Sequence, residues 1–398
     1  MKMFTSSKRV SALCLSLMMI VALSACTSNT PAPAASSATP APASTPPAAT
    51  ASTPVASPTV SAPAEKLKLV LVVGRINDMS FQQSAYDGSQ RIKAELSEHY
   101  DVQVVEMGTD STVWESAIYD VCEKGADIVV GMGFRNLENF QNIPPEYPDI
   151  KFILLDEAID FSAGNLPNLL AVTFKSNESG FLAGAAAAYF TTSEKGNADN
   201  VIGYVGGTEA VTVTNFLVGY AEGAHYVNPD TKILTAYVGD YVDTAKAKDL
   251  TNAQIAEKAD IIFQVAGGAG NGVIEAAAEA EGIMAIGVDA DQYAVLEGTD
   301  LQSSIATSSL KRLDNALFII ATDYAENADN VAFGSNITFG LEAEAVGIVY
   351  NDNLTESIGS DNVASLRELE AKIQSGEIVV SESAALSADE IAKIVRGE

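Results

Sequence analysis

Histidine is nearly absent, with His99 and His225 the only two in 398 residues. One stands in a polar Ser-Glu-His-Tyr stretch and the other inside a helical pattern beside Tyr226. Both suit surface or packing positions better than imidazole catalysis. Cysteine is almost as scarce. Of Cys14, Cys26 and Cys122, the first two belong to an N-terminal processing segment. Cys122 is left alone, with no disulfide partner and no Cys/His spacing for a metal. Basic residues are few as well: 23 Lys and Arg stand against 52 Asp and Glu, a formal charge of −29. Such a surface repels polyanions, and without a basic face nucleic-acid binding is excluded. There is no G-x-S-x-G elbow, no H-E-x-x-H pair and no G-x-x-x-x-G-K-[ST] loop, so hydrolase and ATPase chemistry has no residues to use. What the chain does have is 47% hydrophobic residues and enough length for two ordinary domains, which makes its body globular.

The first 25 residues read as a signal peptide: basic Lys2, Lys8 and Arg9, an apolar run through Val10–Val21, then Leu23-Ser24-Ala25-Cys26. The apolar run is too short to span comfortably as a permanent helix. Its last four residues resemble the lipobox of bacterial lipoproteins, which implies a diacylated Cys26 at the mature N-terminus and a membrane-held protein. The simpler alternative is a plain secretory peptide. Residues 27–64 carry no charge, contain only Ala, Pro, Ser, Thr, Val and one Asn, and hold nine of the fourteen prolines. Such a stretch cannot bury a core. It is expected to be a disordered linker, 26–65 with the lipidated cysteine, between anchor and body.

Along the body, β-branched runs alternate with helical stretches. Residues 67–73, 102–105, 127–131, 152–155 and 169–173 predict buried strands; 81–97, 113–124 and 179–191 predict helices. The pattern restarts near 200, with strands at 201–205, 233–238, 260–265 and 284–288 and helices at 214–226, 244–258 and 271–281. Alternation of this kind predicts α/β architecture with parallel sheets covered on both faces, and the restart predicts two such units. The cleft between them is the default ligand site. Gly267-Gly268-Ala269-Gly270-Asn271-Gly272 follows a predicted strand, opens a helix and precedes Asp289. It imitates a dinucleotide fingerprint, but Val273 occupies the position of the third glycine. The same glycines equally suit a tight strand–helix turn, or a backbone that approaches a smaller polar ligand, with Asp289 accepting from its hydroxyls.

Gly74-Arg75-Ile76-Asn77-Asp78-Met79-Ser80-Phe81-Gln82-Gln83-Ser84-Ala85-Tyr86-Asp87-Gly88 resembles the first-turn signature of the basic membrane protein family. These are purine-nucleoside-receptor-like lipoproteins of ABC importers. Phe181-Leu182-Ala183-Gly184, Gly203-Tyr204-Val205-Gly206-Gly207, Phe216-Leu217-Val218-Gly219-Tyr220, Gly287-Val288-Asp289-Ala290-Asp291-Gln292 and Thr307-Ser308-Ser309-Leu310-Lys311 resemble the family in the same order. The likeness covers about residues 67–325. It implies the type I periplasmic-binding-protein fold, with lobe one at 66–174 and 307–333 and lobe two at 175–306 and 334–398.

The resemblance also implies a function without covalent chemistry: capture of a purine nucleoside such as guanosine, inosine or adenosine and delivery to an ABC permease and its ATPase. A monomer with no cofactor and no metal is expected. Phe81 and Tyr241 match the rings that sandwich the base, Asp156 the base-reading carboxylate, and Asp289 with Lys311 the ribose-holding pair. Asp78, Gln82, Gly267 and Gly268 complete the implied contacts. Gln82 stands where the family usually has Asn, Tyr241 where it often has Phe, and the Val72-Val73 strand end lacks a frequent Asp. Local alternatives remain: Asp78 and Ser80 suit helix caps, Phe81 suits a core aromatic, and Lys311 suits a solvated helix end. The same fold could instead take riboflavin or a sugar-like signal, and an enzyme or adhesin reusing the scaffold is the third class.

Overall fold

The computed structural model describes residues 65–398; the signal segment, Cys26 and the linker up to residue 64 lie outside them. Twelve strands are present among the described residues: β1 Leu67–Val73, β2 Tyr100–Glu106, β3 Ile128–Met132, β4 Lys151–Leu155, β5 Leu169–Phe174, β6 Val201–Gly206, β7 Lys232–Tyr237, β8 Ile261–Val265, β9 Met284–Asp289, β10 Ile305–Lys311, β11 Ser335–Phe339 and β12 Val346–Ile348. They form two six-stranded sheets, β11-β5-β4-β3-β1-β2 and β12-β10-β9-β8-β6-β7. All pairings are parallel except β10 with β12.

Apolar continuity in the sequence explains this. Leu-Lys-Leu-Val-Leu-Val-Val in β1 and Ile-Val-Val-Gly-Met in β3 have no polar face, and a strand buried on both sides needs none. Each sheet winds outward in both directions from its first strand. Both therefore place a switch point between neighbouring strands, β1/β3 and β6/β8, where loops leave in opposite directions and a crevice opens.

Helices Ser176–Thr191 and Val211–Val227 pack tightly within the second lobe. Gly180 and Gly184 on one, Gly219 and Gly223 on the other, let the backbones touch: a Cβ at Gly184 would overlap the Tyr220 carbonyl, and one at Gly223 the Phe181 carbonyl. The contact explains why Phe181-Leu182-Ala183-Gly184 and Phe216-Leu217-Val218-Gly219-Tyr220 stand out as motifs; they are mainly a packing seam.

The chain crosses between lobes three times, after β5, after β10 and after β11. The lobe boundaries differ from those expected. Residues 305–311 pair with β9 and so belong to the second sheet, while 335–339 pair with β5 and belong to the first. Within the expected returning segment, the part after β10 does pack on the first lobe: the helix Leu313–Glu326 lies against the helix Phe81–Glu95, and Phe333 meets Lys151. The Thr-Ser-Ser centre of β10 has no clear period, and β11 is a short edge strand of part-buried and exposed residues, so neither could be assigned to a sheet from sequence. The C-terminal helices Asp352–Ile358, Ser360–Gln374 and Ala388–Arg396 cover the second lobe.

First and third crossings are stapled. Lys175 N donates to Phe339 O at 2.9 Å, and Leu341 N donates to Glu178 Oε2 at 2.9 Å. Lys175 lies 3.4 Å from Glu178 and 3.9 Å from Glu342.

Candidate functional site

Two strand ends define the floor of the interlobe cleft. Asp156 follows β4 and Asp289 ends β9, strands that hold the same place in their two sheets. Both aspartates have a φ of 64°. Left-handed backbone is costly for a residue with a Cβ, and such residues concentrate at functional sites. Lys311, the last residue of β10, reaches both: its Nζ donates to Asp156 Oδ2 at 2.8 Å and lies 3.5 Å from Asp289 Oδ1. Ser80 Oγ donates to the other oxygen of Asp289 at 2.7 Å. Lys311 is only 4% exposed, so it is not the solvated helix-end lysine that the local pattern allowed; it closes a strand, and the helix begins at Leu313.

Phe81 opens its helix with Lys311 Nζ 4.7 Å from the centre of its ring. Ahead of it, Asp78 does act as a cap, accepting from Gln82 N at 2.9 Å and from Gln83 N at 3.0 Å. Gln82 Oε1 accepts from Gly74 N at 2.6 Å and Arg75 N at 2.9 Å, which pins the turn leaving β1. Gln82 thus has a bracing role that an Asn, one methylene shorter, reaches less readily. On the second lobe, Tyr241 shares a hydroxyl hydrogen bond with Thr208 at 2.8 Å. Its ring lies on Gly207, where a side chain would collide with it. Its carbonyl accepts from Ala269 N at 3.0 Å, within the short turn Gly267–Gly270. Gly267 has a φ of 55°, so the glycine run is a tight turn that also faces the cleft.

A cavity of about 350 Å³ lies between the lobes, and Asp78, Phe81, Gln82, Asp156, Tyr241, Gly267, Gly268, Asp289 and Lys311 all line it. Sequence reasoning missed Trp114, Phe134, Asn136, Glu157, Phe216 and Asn271 on the same walls. Phe216 was visible only as part of a motif. Phe134 sits 6.2 Å from Tyr241, ring centre to ring centre, bringing the lobes together at the cavity. Asn136 is 1% exposed; its amide nitrogen donates to Met132 O at 2.9 Å while its Oδ1 has no partner.

Burial pushes the Asp156 carboxyl up against the pull of Lys311. Burial also works against the Lys311 ammonium, but Asp156 and Asp289 outweigh it and hold the lysine protonated well beyond its ordinary range. Burial raises Asp78 too, overcoming three backbone hydrogen bonds, and lifts Glu157 to about 7 with help from the Asp156 charge. The floor thus groups two carboxyls around one ammonium. Such a floor favours hydrogen-bond donors and disfavours phosphate or carboxylate groups.

Two doubly wound lobes enclosing a polar, aromatic-lined cavity define the type I periplasmic solute-binding class. The profile of the PnrA-like ABC transporter substrate-binding proteins matches residues 66–384, and the chain belongs to that family. Basic membrane protein A of Borreliella burgdorferi is 30% identical over 313 residues, covering 78% of this chain and 86% of the relative. The CD4+ T-cell-stimulating antigen of Listeria monocytogenes is 27% identical over 327 residues, 79% and 87% of the two chains. Among solved structures, an ABC transporter solute-binding protein of Aeropyrum pernix shares the fold with a TM-score of 0.69 at 24% identity, covering 84% of this chain and 98% of its own. Proteins of this family are extracytoplasmic, bind a small molecule and work with a permease. Among the described residues no helix is long and apolar enough to cross a membrane, and no His/Cys/Asp/Glu group could hold a metal ion.

Proposed function

We propose that this protein captures a purine nucleoside in the interlobe cavity and delivers it to an ABC permease, anchored to the outer face of the cell membrane by lipid on Cys26. The observation that carries the reading is one aromatic from each lobe, Phe81 and Tyr241, facing the same cavity above the Asp156–Lys311–Asp289 cluster. Flat rings suit a heterocycle. Carboxyl groups suit ribose hydroxyls and base N–H groups, and a floor with two carboxyls to one ammonium favours a nucleoside over its phosphate. In this reading Phe81 and Tyr241 clamp the base, Asp156 reads its edge, Asp289 takes the ribose hydroxyls, and Lys311 bridges the two carboxyls and fixes their positions. Asp78 and Gln82 hold the turn that presents Phe81, and Gly267 and Gly268 let the backbone come close.

Calorimetric titration against ribonucleosides, 2′-deoxynucleosides and free bases tests it. Phe81→Ala and Tyr241→Ala should each weaken every base alike, by about 1–3 kcal/mol. Asp156→Asn should reorder the bases, and Asp289→Asn should cost ribonucleosides more than deoxynucleosides or free bases. Equal loss of free base and ribonucleoside in Asp289→Asn refutes the ribose assignment. Absence of binding by any nucleoside to the wild type refutes the ligand class and turns the search to riboflavin and sugars.

A further inference from the structure

Asp156 and Glu157 are consecutive, yet both line the cavity. Along a regular strand they would point to opposite faces. The left-handed turn at Asp156, φ 64°, removes the alternation: Asp156 N and Glu157 N both donate to Val172 O, at 2.7 and 3.3 Å, and the chain folds so that two carboxyls share one wall. Their surroundings differ. Asp156 is taken by the Lys311 ammonium, whereas no hydrogen bond from the described residues reaches the Glu157 carboxyl. Nearby, the buried Oδ1 of Asn136 is also without a donor. This side of the cavity therefore offers acceptors with nothing of the protein's own to fill them.

We infer that Glu157 is a specificity-determining residue of the cleft, which with Asp156 selects a ligand presenting two neighbouring hydrogen-bond donors on one edge. The inference rests on the nucleoside reading above and sharpens it: a guanine edge, with a ring N–H beside an amino group, fits two acceptors better than the single ring N–H of hypoxanthine. An ionised carboxylate accepts only, while a protonated one spends an oxygen as donor. Selection therefore follows the charge on Glu157, which burial places near neutrality. The charged groups that line the same cavity are Asp156, Asp289 and Lys311 on the floor, Asp78 at the helix start, and exposed Arg75 and Arg135.

The sign is fixed by linkage: a ligand that donates to the carboxylate binds its ionised form, so affinity rises with pH until Glu157 is ionised in the free protein. Between pH 6 and pH 8 the wild type should bind guanosine up to about tenfold more tightly at the higher pH. Glu157→Gln should flatten that profile, weaken guanosine about tenfold at pH 8, and change inosine less. Isothermal titration of both proteins with guanosine and inosine at pH 6, 7 and 8 reads all three effects. A wild type whose affinity is level across this range, or a Glu157→Gln protein that keeps both the slope and the guanosine-to-inosine ratio, overturns the assignment of Glu157 alone. A wild type that binds neither nucleoside overturns the nucleoside reading and this one with it.

Discussion

Lys311→Met removes the buried ammonium from the cavity floor, where the lysine and Asp156 side chains are 6% and 7% exposed. The methionine fills the space of the stem, so the loss is electrostatic. Two carboxylates then face each other with Ser80 still donating to one of them. Breaking a buried ion pair from one side costs about 3–5 kcal/mol. Spread over the 334 described residues, at about 2.1 cal/mol/K each, the melting entropy is about 0.7 kcal/mol/K, and the melting temperature should fall about 4–7 °C. The loss must depend on pH. In the wild type Lys311 has its folded pKa raised, so its contribution is complete below the ordinary lysine value and is present in full at both pH 5 and pH 8. In the variant one carboxyl can relieve the repulsion by taking a proton, easily at pH 5 and at about 1.4 kcal/mol for each pH unit above its pKa. Thermal unfolding followed by circular dichroism should show less than half of the pH 8 loss at pH 5. Adding Asp156→Asn to Lys311→Met should recover most of the loss at pH 8. An equal loss at both values, or no recovery in the double variant, would falsify the coupled cluster.

Gly184→Ala should destabilise by about 3 kcal/mol, since its Cβ meets the Tyr220 backbone rather than a movable side chain, whereas Gly164→Ala, with open space around it, should stay within about 0.5 kcal/mol by denaturant unfolding. Glu157 has its folded pKa raised to about 7 from 4.5, so its favourable contribution exists at low pH and is lost as pH rises between those values. Glu157→Gln should accordingly raise the ligand-free melting temperature by about 2 °C at pH 8, allowing for solvent screening of a partly exposed group, and leave it unchanged at pH 4.5. Cys26→Ala should abolish incorporation of labelled palmitate and move the protein out of the lipid-anchored membrane fraction; unchanged labelling disproves the anchor.

The central strands were legible because a strand buried on both faces must be apolar throughout; β1, β4 and β9 were found to within a residue or so for that reason. The strands β11 and β12 were not, being short, with β11 alternating partly buried and exposed residues at a sheet edge. β10 was not assigned as a strand, because Thr-Ser-Ser-Leu-Lys shows no clear period and Leu313 begins a strong helical one two residues later, which left Lys311 open to a helix-end reading. At the site, the resemblance supplied residues that local pattern could not. Asp156, Asp289 and Lys311 are far apart in the chain, and no spacing rule brings them within one ammonium's reach. Glu157 was missed for the opposite reason: alternation along β4 would turn it away from Asp156, and only the left-handed turn brings it back.

The two lobes repeat one plan, but the proposed guest, a nucleoside, has no two-fold axis, and the lobes depart from the repeat. The departure falls on a lysine. In the second lobe Lys311 comes two residues after Ser309, the partner of Val288 before the cleft aspartate; in the first, Lys175 comes three residues after Val172, the partner of Leu155. With side chains alternating along a strand, one residue of offset exchanges inward for outward. The same type of side chain, at nearly the same strand end, thereby bridges the two aspartates of the ligand chamber in one half and grips Glu178 and Glu342 at the crossing in the other. A single step in the count along a strand gives the chamber a head and a tail, and with them a preferred direction in which an unsymmetrical guest can lie.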